Sequence, residues 1–525
     1  MRAKGHASAK PAPTGSAAAS PSSSLALVFT GLFGGFLGLL ILKFGNPPIM
    51  EEDVTQPKDI YQLLYNFPWP IAWAYWLVGG VGLVSLAAAR WRRAAPVWLM
   101  ALPLVWFMWQ MLAASGSLNH HLSEVTVKHF AATVGCFYIG YFSLGRGDRI
   151  WPLWLGILFC FLVMALIGID QHFGGLEDTR RHIALYEHPE NVSSGLRQKI
   201  ASNRIFATLY YPNVLAGAVL LFLPPLLAAV GGLRDRLAAA SKGVRLGVLA
   251  AFAVAAMVLY ISGSRVGWIY LLVFGVVTLR PGPKWLLAAL VAVPALGCLF
   301  WSGSKGGWLL MLLLGVVFLF RLPLSRTFKV SLLCCVLVAG LAGFFIKYAG
   351  FFRKGATSVG ARFDYWRAAV ETVRERPLLG TGPGTFAMAY IKLKKPDSEM
   401  ARLTHNDYLE QASDSGVPGA IFYTVFVAGA LVWSFRGAFP GEAEGTKGTK
   451  ESKGTERPAG EDRAGSGVSL GNWQVFGVWL GVLGWSAQGL MEFGLYIPAL
   501  AWGAFAFFGW VLGHSVNQAP RQSLL

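Results

Sequence analysis

The sequence predicts an all-α polytopic integral membrane protein, and three observations carry that prediction. Hydrophobic residues make up 54% of the 525 and charged residues only 14%, against roughly a quarter charged in soluble globular chains. The apolar residues gather in runs of about 17 to 22, the length of helix that crosses roughly 30 Å of hydrocarbon. Lysine and arginine then fall on alternate polar breaks, as the positive-inside rule requires. A mean hydropathy of +0.50 excludes a soluble enzyme and a disordered chain alike. The net charge of +18 would suggest nucleic acid in a soluble protein. Here it divides between two sides of a bilayer, so no nucleic-acid partner is expected.

Taken in order, residues 1–24 are Ala, Ser and Pro with basic punctuation and read as a disordered cytoplasmic tail ahead of a retained first helix. Apolar runs then lie near 25–43, 71–89, 96–114, 130–144, 151–169, 212–230, 245–261, 266–280, 285–300, 307–320, 330–347, 416–435, 471–490 and 496–513. That makes about fourteen spanning helices. With the N-terminus inside, Arg90, Arg92 and Arg93, then Arg146 and Arg149, Arg234, Arg236, Lys242 and Arg245, Arg280 and Lys284, and Arg321, Arg326 and Lys329 all fall on the cytoplasmic side. The opposite loops hold residues near 44–70, 115–128, 170–211 and 348–415. The last two are longer than a connection needs to be, which is where function concentrates. The organisation is therefore an N-terminal helical region with its exterior loop over 25–199, a membrane domain over 200–435 with the loop 348–415 between helices eleven and twelve, a Gly/Thr/Glu/Lys linker over 436–470 without an apolar face, and a C-terminal helix pair over 471–525. The five cysteines, Cys136, Cys160, Cys298, Cys334 and Cys335, lie inside apolar stretches without metal-ligand spacing and read as small core residues.

Cations are plentiful on the exterior side, where insertion disfavours them. Among them are Arg180, Arg181, Arg197, Lys199 and Arg204 before the sixth helix, and Arg353, Lys354, Arg362, Arg367, Arg374 and Arg376 in the last large loop. SGSRVGW recurs about forty residues later as SGSKGGW, which sets Arg265 and Lys305 at matching helix mouths. Cations at that depth either snorkel to lipid headgroups or converge on a phosphate or diphosphate, which a guanidinium grips with two parallel charge-assisted hydrogen bonds. Arg362 opens ARFDYWRAAVETVRERP, where Phe363, Trp366, Val370 and Val373 make one apolar face of an amphipathic helix at the outer interface. The PLLGTGPGTF turn that follows either offers its backbone to substrate or aims the next segment. In THNDYLEQASDSGVPG, a short helix from about 407 to 413 sets His405 at its exterior start. A histidine there takes a proton from a sugar hydroxyl or holds it in line; alternatively it is a structural residue satisfied by Asp407 or Asp414. Glu492, in MEFGLYIP, either orients His405 or pairs with an arginine. His120, His121, His172, His182 and His188 lack pair spacing with carboxylates, so neither a metal site nor a cofactor is expected.

In order, the blocks RIFATLYYPNVLAG, SGSRVGW, RFDYWRAAVETVRERPLLGTGPGTF, HNDYLEQASDSGVPG and EFGLYIPAL resemble the O-antigen ligase superfamily of O-antigen ligases, O-antigen polymerases and protein O-oligosaccharyltransferases. The fourth block carries the most specific pattern: His405, Asn406, nine residues, Gly416, two residues, Gly419. The resemblance implies a GT-C-like membrane glycosyltransferase: metal-independent, inverting transfer of a glycan from undecaprenyl diphosphate to an acceptor hydroxyl, with the lipid A core first among acceptors, at the periplasmic side of the inner membrane. It implies catalytic roles for His405, Arg265 and Arg362, the arginines binding the diphosphate. The residues around them, Lys305, Arg204, Asn406, Tyr408, Gly416, Gly419 and Glu492, are the candidate substrate contacts. Lys305 departs from the arginine pattern and competes with Arg265 for the diphosphate role. A transporter of an anionic lipid-linked glycan is the alternative from another class; it predicts ionisable residues at discontinuous helices in mid-membrane, where this chain reads as nearly clean.

Overall fold

The computed structural model describes residues 21–65, 68–90, 95–144, 150–186, 201–209, 211–261, 264, 267–280, 282–322, 324–353, 357–396, 398–439 and 470–514. Arg92, Arg93, Arg146, Arg149, Arg197, Lys199, Arg265, His188 and Lys354, the first twenty residues and the linker over 440–469 lie outside them.

Three helix pairs come together at glycine so closely that a Cβ would strike the opposing helix. Helix α1 (Pro21–Lys43) meets α6 (Trp151–Asp170), where Gly34 faces the Leu153 backbone and Gly156 faces Gly34. Gly140 of α5 (His120–Ser143) faces the Ala506 carbonyl of α18 (Pro498–His514), and Gly509 faces that of Phe137. Gly481 of α17 (Leu470–Gln488) lies against the Leu221 carbonyl of α8 (Pro212–Ala239). Hydrocarbon is as apolar as leucine, so helices in a bilayer gain more from this close backbone approach than from apolar burial.

Around these pairs stand α2 (Ile60–Tyr65), α3 (Ile71–Ala88), α4 (Val97–Ser115), α7 (Leu176–Tyr186), α9 (Lys242–Ile261), α10 (Gly267–Leu279), α11 (Lys284–Trp301), α12 (Lys305–Arg321), α13 (Arg326–Arg353), α14 (Thr357–Glu375), α15 (Phe386–Leu393) and α16 (Asp407–Ala438). Every apolar stretch singled out in the sequence lies in a helix, and the described residues contain no strand. Nine helical segments among them are long and apolar enough to cross a membrane, fewer than the fourteen read from the sequence. Helices α12 and α18, at 17 residues each, are shorter than that length, and α5 opens with two histidines, a glutamate and a lysine in its first nine residues.

Burial is uneven. The apolar window of α8 is 78% buried and that of α13 only 6%. Cys136, Cys160 and Cys298 are core residues as expected, but Cys334 and Cys335 are exposed, because α13 packs on little besides α12 and turns its apolar surface outward. The basic end of the bundle is tied together by main-chain acceptors: Arg234 reaches the carbonyls of Arg280 and Pro283, and Arg245 that of Leu279 at 3.1 Å. At the other end Trp69 N–H bonds the Lys43 carbonyl, Thr208 that of Ile41, and Ala499 N–H that of Phe44. These contacts gather the loops of that end over the mouths of α1, α8 and α18.

Candidate active site

The HNDYLEQASDSGVPG segment forms a broken helix. Asn406 caps α16 by accepting from the Tyr408 and Leu409 N–H groups at 3.0 and 3.1 Å. The helix breaks at Ser415 (φ −127°) and Gly416 (φ 72°), so the short helix expected from about 407 continues, across a kink, into the apolar span. The groups freed at the break are satisfied from outside: Trp109 donates to the Ser415 carbonyl at 2.8 Å, and Val417 N–H bonds the Pro377 carbonyl. Here Gly416 is required twice, for its left-handed φ and because a Cβ would strike the Leu378 carbonyl. Gly419 likewise leaves no room beside Ser415 and Trp109.

The first half of α16, ahead of the apolar run at 416–435, buries Asp407, Glu410 and Asp414. Each carboxylate is held by main-chain donors. Asp407 accepts from Leu495 N–H at 3.0 Å, Asp414 from Gly384 N–H at 2.6 Å and from the Tyr496 hydroxyl, and Glu410 from Thr404 N–H. Asp414 thereby fixes the glycine turn. Gly380, Gly382 and Gly384 all have positive φ, and the buried turn wedges between α16 and the start of α5. It aims the following segment and is not an open phosphate cradle.

These ties position His405 immediately before the cap. Its φ is 55°, an uncommon value for a residue with a side chain. The conformation is held because Thr404 N–H is tied to Glu410, Asn406 N–H to the Thr404 hydroxyl at 3.1 Å, and Asp407 N–H to the Gly489 carbonyl at 2.7 Å. Over-determined strain of this kind concentrates at functional sites. The imidazole stacks on Tyr365 of α14 with centroids 5.9 Å apart and meets the edge of Phe493 at 4.8 Å. Burial, then the neighbouring Tyr390 and Glu399, push the Tyr365 hydroxyl up to about 12, so it stays protonated.

Glu492 joins the cluster. One carboxylate oxygen lies 3.2 Å from His405 Nδ1; the other accepts from the Arg362 guanidinium and from Asn213 Nδ2 at 2.6 Å. It thus does both things the sequence left open. Asn213 in turn accepts from Arg204 at 2.7 Å, and Arg204 Nε donates to the Ser302 carbonyl at 2.7 Å. Burial lowers the Arg204 guanidinium from its ordinary value, opposed by the Glu492 carboxylate, yet an arginine keeps its charge at any working pH. Lys305 opens α12 with its ammonium 5.3 Å from the Tyr348 ring centre. Burial lowers it first, and the Arg204 and Arg362 charges lower it further, which sets all three cations within one field. Glu492 is the carboxylate that Arg362 binds and that acts on Arg204, and Arg362 Nε is buried without a hydrogen-bond partner.

Of the residues singled out in the sequence, His405, Glu492 and Arg362 meet directly, Arg204 joins through Asn213, and Lys305 lies alongside. Asn406, Gly416 and Gly419 hold the backbone, and the Tyr408 hydroxyl is committed to the Ser486 carbonyl at 3.0 Å. Arg265 lies outside the described residues. In the repeat that contains it, Ser264 caps α10 through Gly267 N–H at 3.1 Å just as Ser304 caps α12 through Gly307 N–H at 3.2 Å, so part of the repeated motif is a repeated helix start. The sequence reading missed Asn213, Tyr365 and Phe493, though all three stand inside the quoted blocks. Among the described residues no group of three or more His, Cys, Asp or Glu side chains is placed to hold a metal ion.

Fold and site define the class first: a multi-pass helical membrane protein with a histidine–glutamate pair set among cations at one end of its bundle. Residues 290–424 match the family model described as O-Antigen ligase, so that segment is similar to the O-antigen ligase family. The match contains Lys305, Arg362 and His405; Arg204, Asn213 and Glu492 come to the site from outside it. No curated protein matches the chain.

Proposed function

We propose that the protein transfers a glycan from an undecaprenyl-diphosphate carrier to an acceptor hydroxyl on the periplasmic side of the inner membrane, with the lipid A core as acceptor. The observation that carries this reading is the single carboxylate of Glu492 binding His405, Arg362 and the Asn213–Arg204 pair at once. With Nδ1–H donated to Glu492, the Nε2 lone pair of His405 is left as a general base. It takes the proton of the acceptor hydroxyl as that oxygen bonds to the anomeric carbon, and the bond from that carbon to the diphosphate oxygen breaks with inversion. The charge developing on the departing undecaprenyl diphosphate is met by Arg362, Arg204 and Lys305, cations already in place before the bond breaks. Arg265 is assigned to the same diphosphate through its place in the SGSR motif, which makes Arg265→Ala and Lys305→Ala unequal in cost.

The basic end, with Arg234, Arg280 and Lys284, is the cytoplasmic one by the charge rule, and both termini lie there. Transport is less well supported. The broken helix and its carboxylates fit the sequence expectation for a transporter, but those carboxylates are buried and tied to backbone N–H groups. The test compares the lipid-linked and surface glycans of a strain lacking the protein with one carrying His405→Ala. Long polymers stranded on the carrier in both strains support ligation. Single repeat units on the lipid A core would instead mean a polymerase, and an unchanged profile would overturn both.

A further inference from the structure

Beyond the cation cluster, one feature of the same mouth has no role in the chemistry above. Between α6 and α7 the chain makes a wide turn over Gln171–Gly175, in which Leu176 N–H reaches back five residues to the Gln171 carbonyl and Gly174 takes a φ of 126°. Such single wide turns persist in helices mostly where they re-aim side chains for function. This one does two things. Gln171 accepts from Phe206 N–H at 3.0 Å and Ala207 N–H at 2.8 Å and donates to the Ala207 carbonyl at 3.0 Å, clamping a residue held at φ 53° just after Arg204. The next two residues turn their rings onto the last residue of α11. His172 stacks on Trp301 with centroids 4.2 Å apart, and Phe173 meets Trp301 edge-on at 5.5 Å. Phe173 remains 57% exposed.

Trp301 is joined to Lys305 by three residues of chain. Ser302 lends its carbonyl to Arg204, Gly303 takes a φ of 64° beside the Arg204 side chain, Ser304 caps α12, and Lys305 follows. A group gripped by Arg204 and Lys305 therefore has these rings beside it. The rings stand past the end of α6 and at the last residue of α11, at the end of the bundle that carries Arg204 and Lys305. At that level the neighbour of a diphosphate is its sugar; the isoprenoid chain runs into the hydrocarbon. Ring faces carry negative charge density and attract the weakly positive C–H edge of a pyranose.

We propose that His172, Phe173 and Trp301 form an aromatic platform that holds the first sugar attached to the donor diphosphate. The proposal rests on the donor reading above and adds a sugar-recognising element to it. The test uses the purified full chain and two probes, undecaprenyl diphosphate and undecaprenyl diphosphate bearing a single N-acetylhexosamine. Trp301→Ala is expected to weaken the sugar-bearing probe about five-fold and the bare carrier by less than about two-fold, with Trp301→Phe recovering most of the loss. Where Trp301→Ala fails to fold, the exposed double variant His172→Ala/Phe173→Ala carries the same test. Equal weakening of both probes, or no change in either, would overturn the platform while leaving the donor reading standing. Binding of neither probe by the unaltered protein would remove the donor reading and the platform with it.

Discussion

Arg234 and Arg204 are guanidinium groups at opposite ends of one bundle, and they are satisfied in opposite ways. Arg234, 5% exposed, spends all three nitrogens on the carbonyls of Arg280 and Pro283, where a helix ends and the next begins. Arg204 spends two nitrogens, one on a carbonyl and one on Asn213, which relays it to a carboxylate shared with Arg362 and His405. At the basic end, Arg234 and Arg245 close helix ends against carbonyl dipoles. At the site end, Arg362 binds Glu492, Arg204 reaches it through Asn213 and Lys305 feels both guanidinium charges, an excess of positive charge that an anionic ligand would neutralise. A residue count by type does not separate the two ends; the partners do.

The comparison can be broken at several points. The largest effect is expected at the base: His405→Ala should lower transfer by about 10² to 10⁴ with expression and membrane insertion intact, and full activity in the purified variant would dismiss the site. Arg362→Ala should cost about a hundredfold in kcat/KM, since it removes a preorganised charge and leaves Glu492 partly unpaired. Next, Arg204→Ala should raise the donor KM about tenfold with little change in Tm, whereas Arg234→Ala should lower Tm and leave KM alone. If the two variants behaved alike, the distinction between the ends would fail.

A pH series sharpens the role of Lys305. Its ammonium is lowered from the ordinary lysine value by burial and by its cationic neighbours. Such a lysine is charged below its lowered pKa and loses its charge as pH rises through it, so carrier affinity should fall on the alkaline side earlier than an ordinary lysine would allow. Lys305→Arg should abolish that alkaline fall, read as Kd for the bare carrier against pH. The smallest effects belong to the repeated helix starts. Ser264→Ala and Ser304→Ala should each cost about 1 kcal/mol of stability by thermal melting, and the second should also weaken carrier binding, because it loosens the turn between Trp301 and Lys305.

Much of the site was legible because its residues carry unusual chemistry where the chain is otherwise apolar. His405 at a predicted helix start, Arg362 on an amphipathic helix and Glu492 in a last exterior turn all stand out by type and position. Asn213 does not, because a single asparagine after a proline reads as a helix start and nothing more. Tyr365 and Phe493 were hidden among dozens of aromatic residues, and only their 5.9 Å and 4.8 Å approach to the imidazole distinguishes them. The glycine turn was left open between two uses, backbone contact with substrate and aiming the next segment, and its burial against Asp414 favours the second.

The sequence by itself determined the helices, the basic end and the alternatives open to each polar residue, because hydropathy period and charge sign are local quantities that the bilayer reads one segment at a time. Only the tertiary structure decided that Glu492 serves His405, Arg362 and Arg204 together, since their partnership joins segments 87 to 279 residues apart. That choice is made by the glycine-mediated approach of α17 to α8 and by the backbone bonds that pin α16 to the turn before α18, neither of which leaves a periodic signal in the chain.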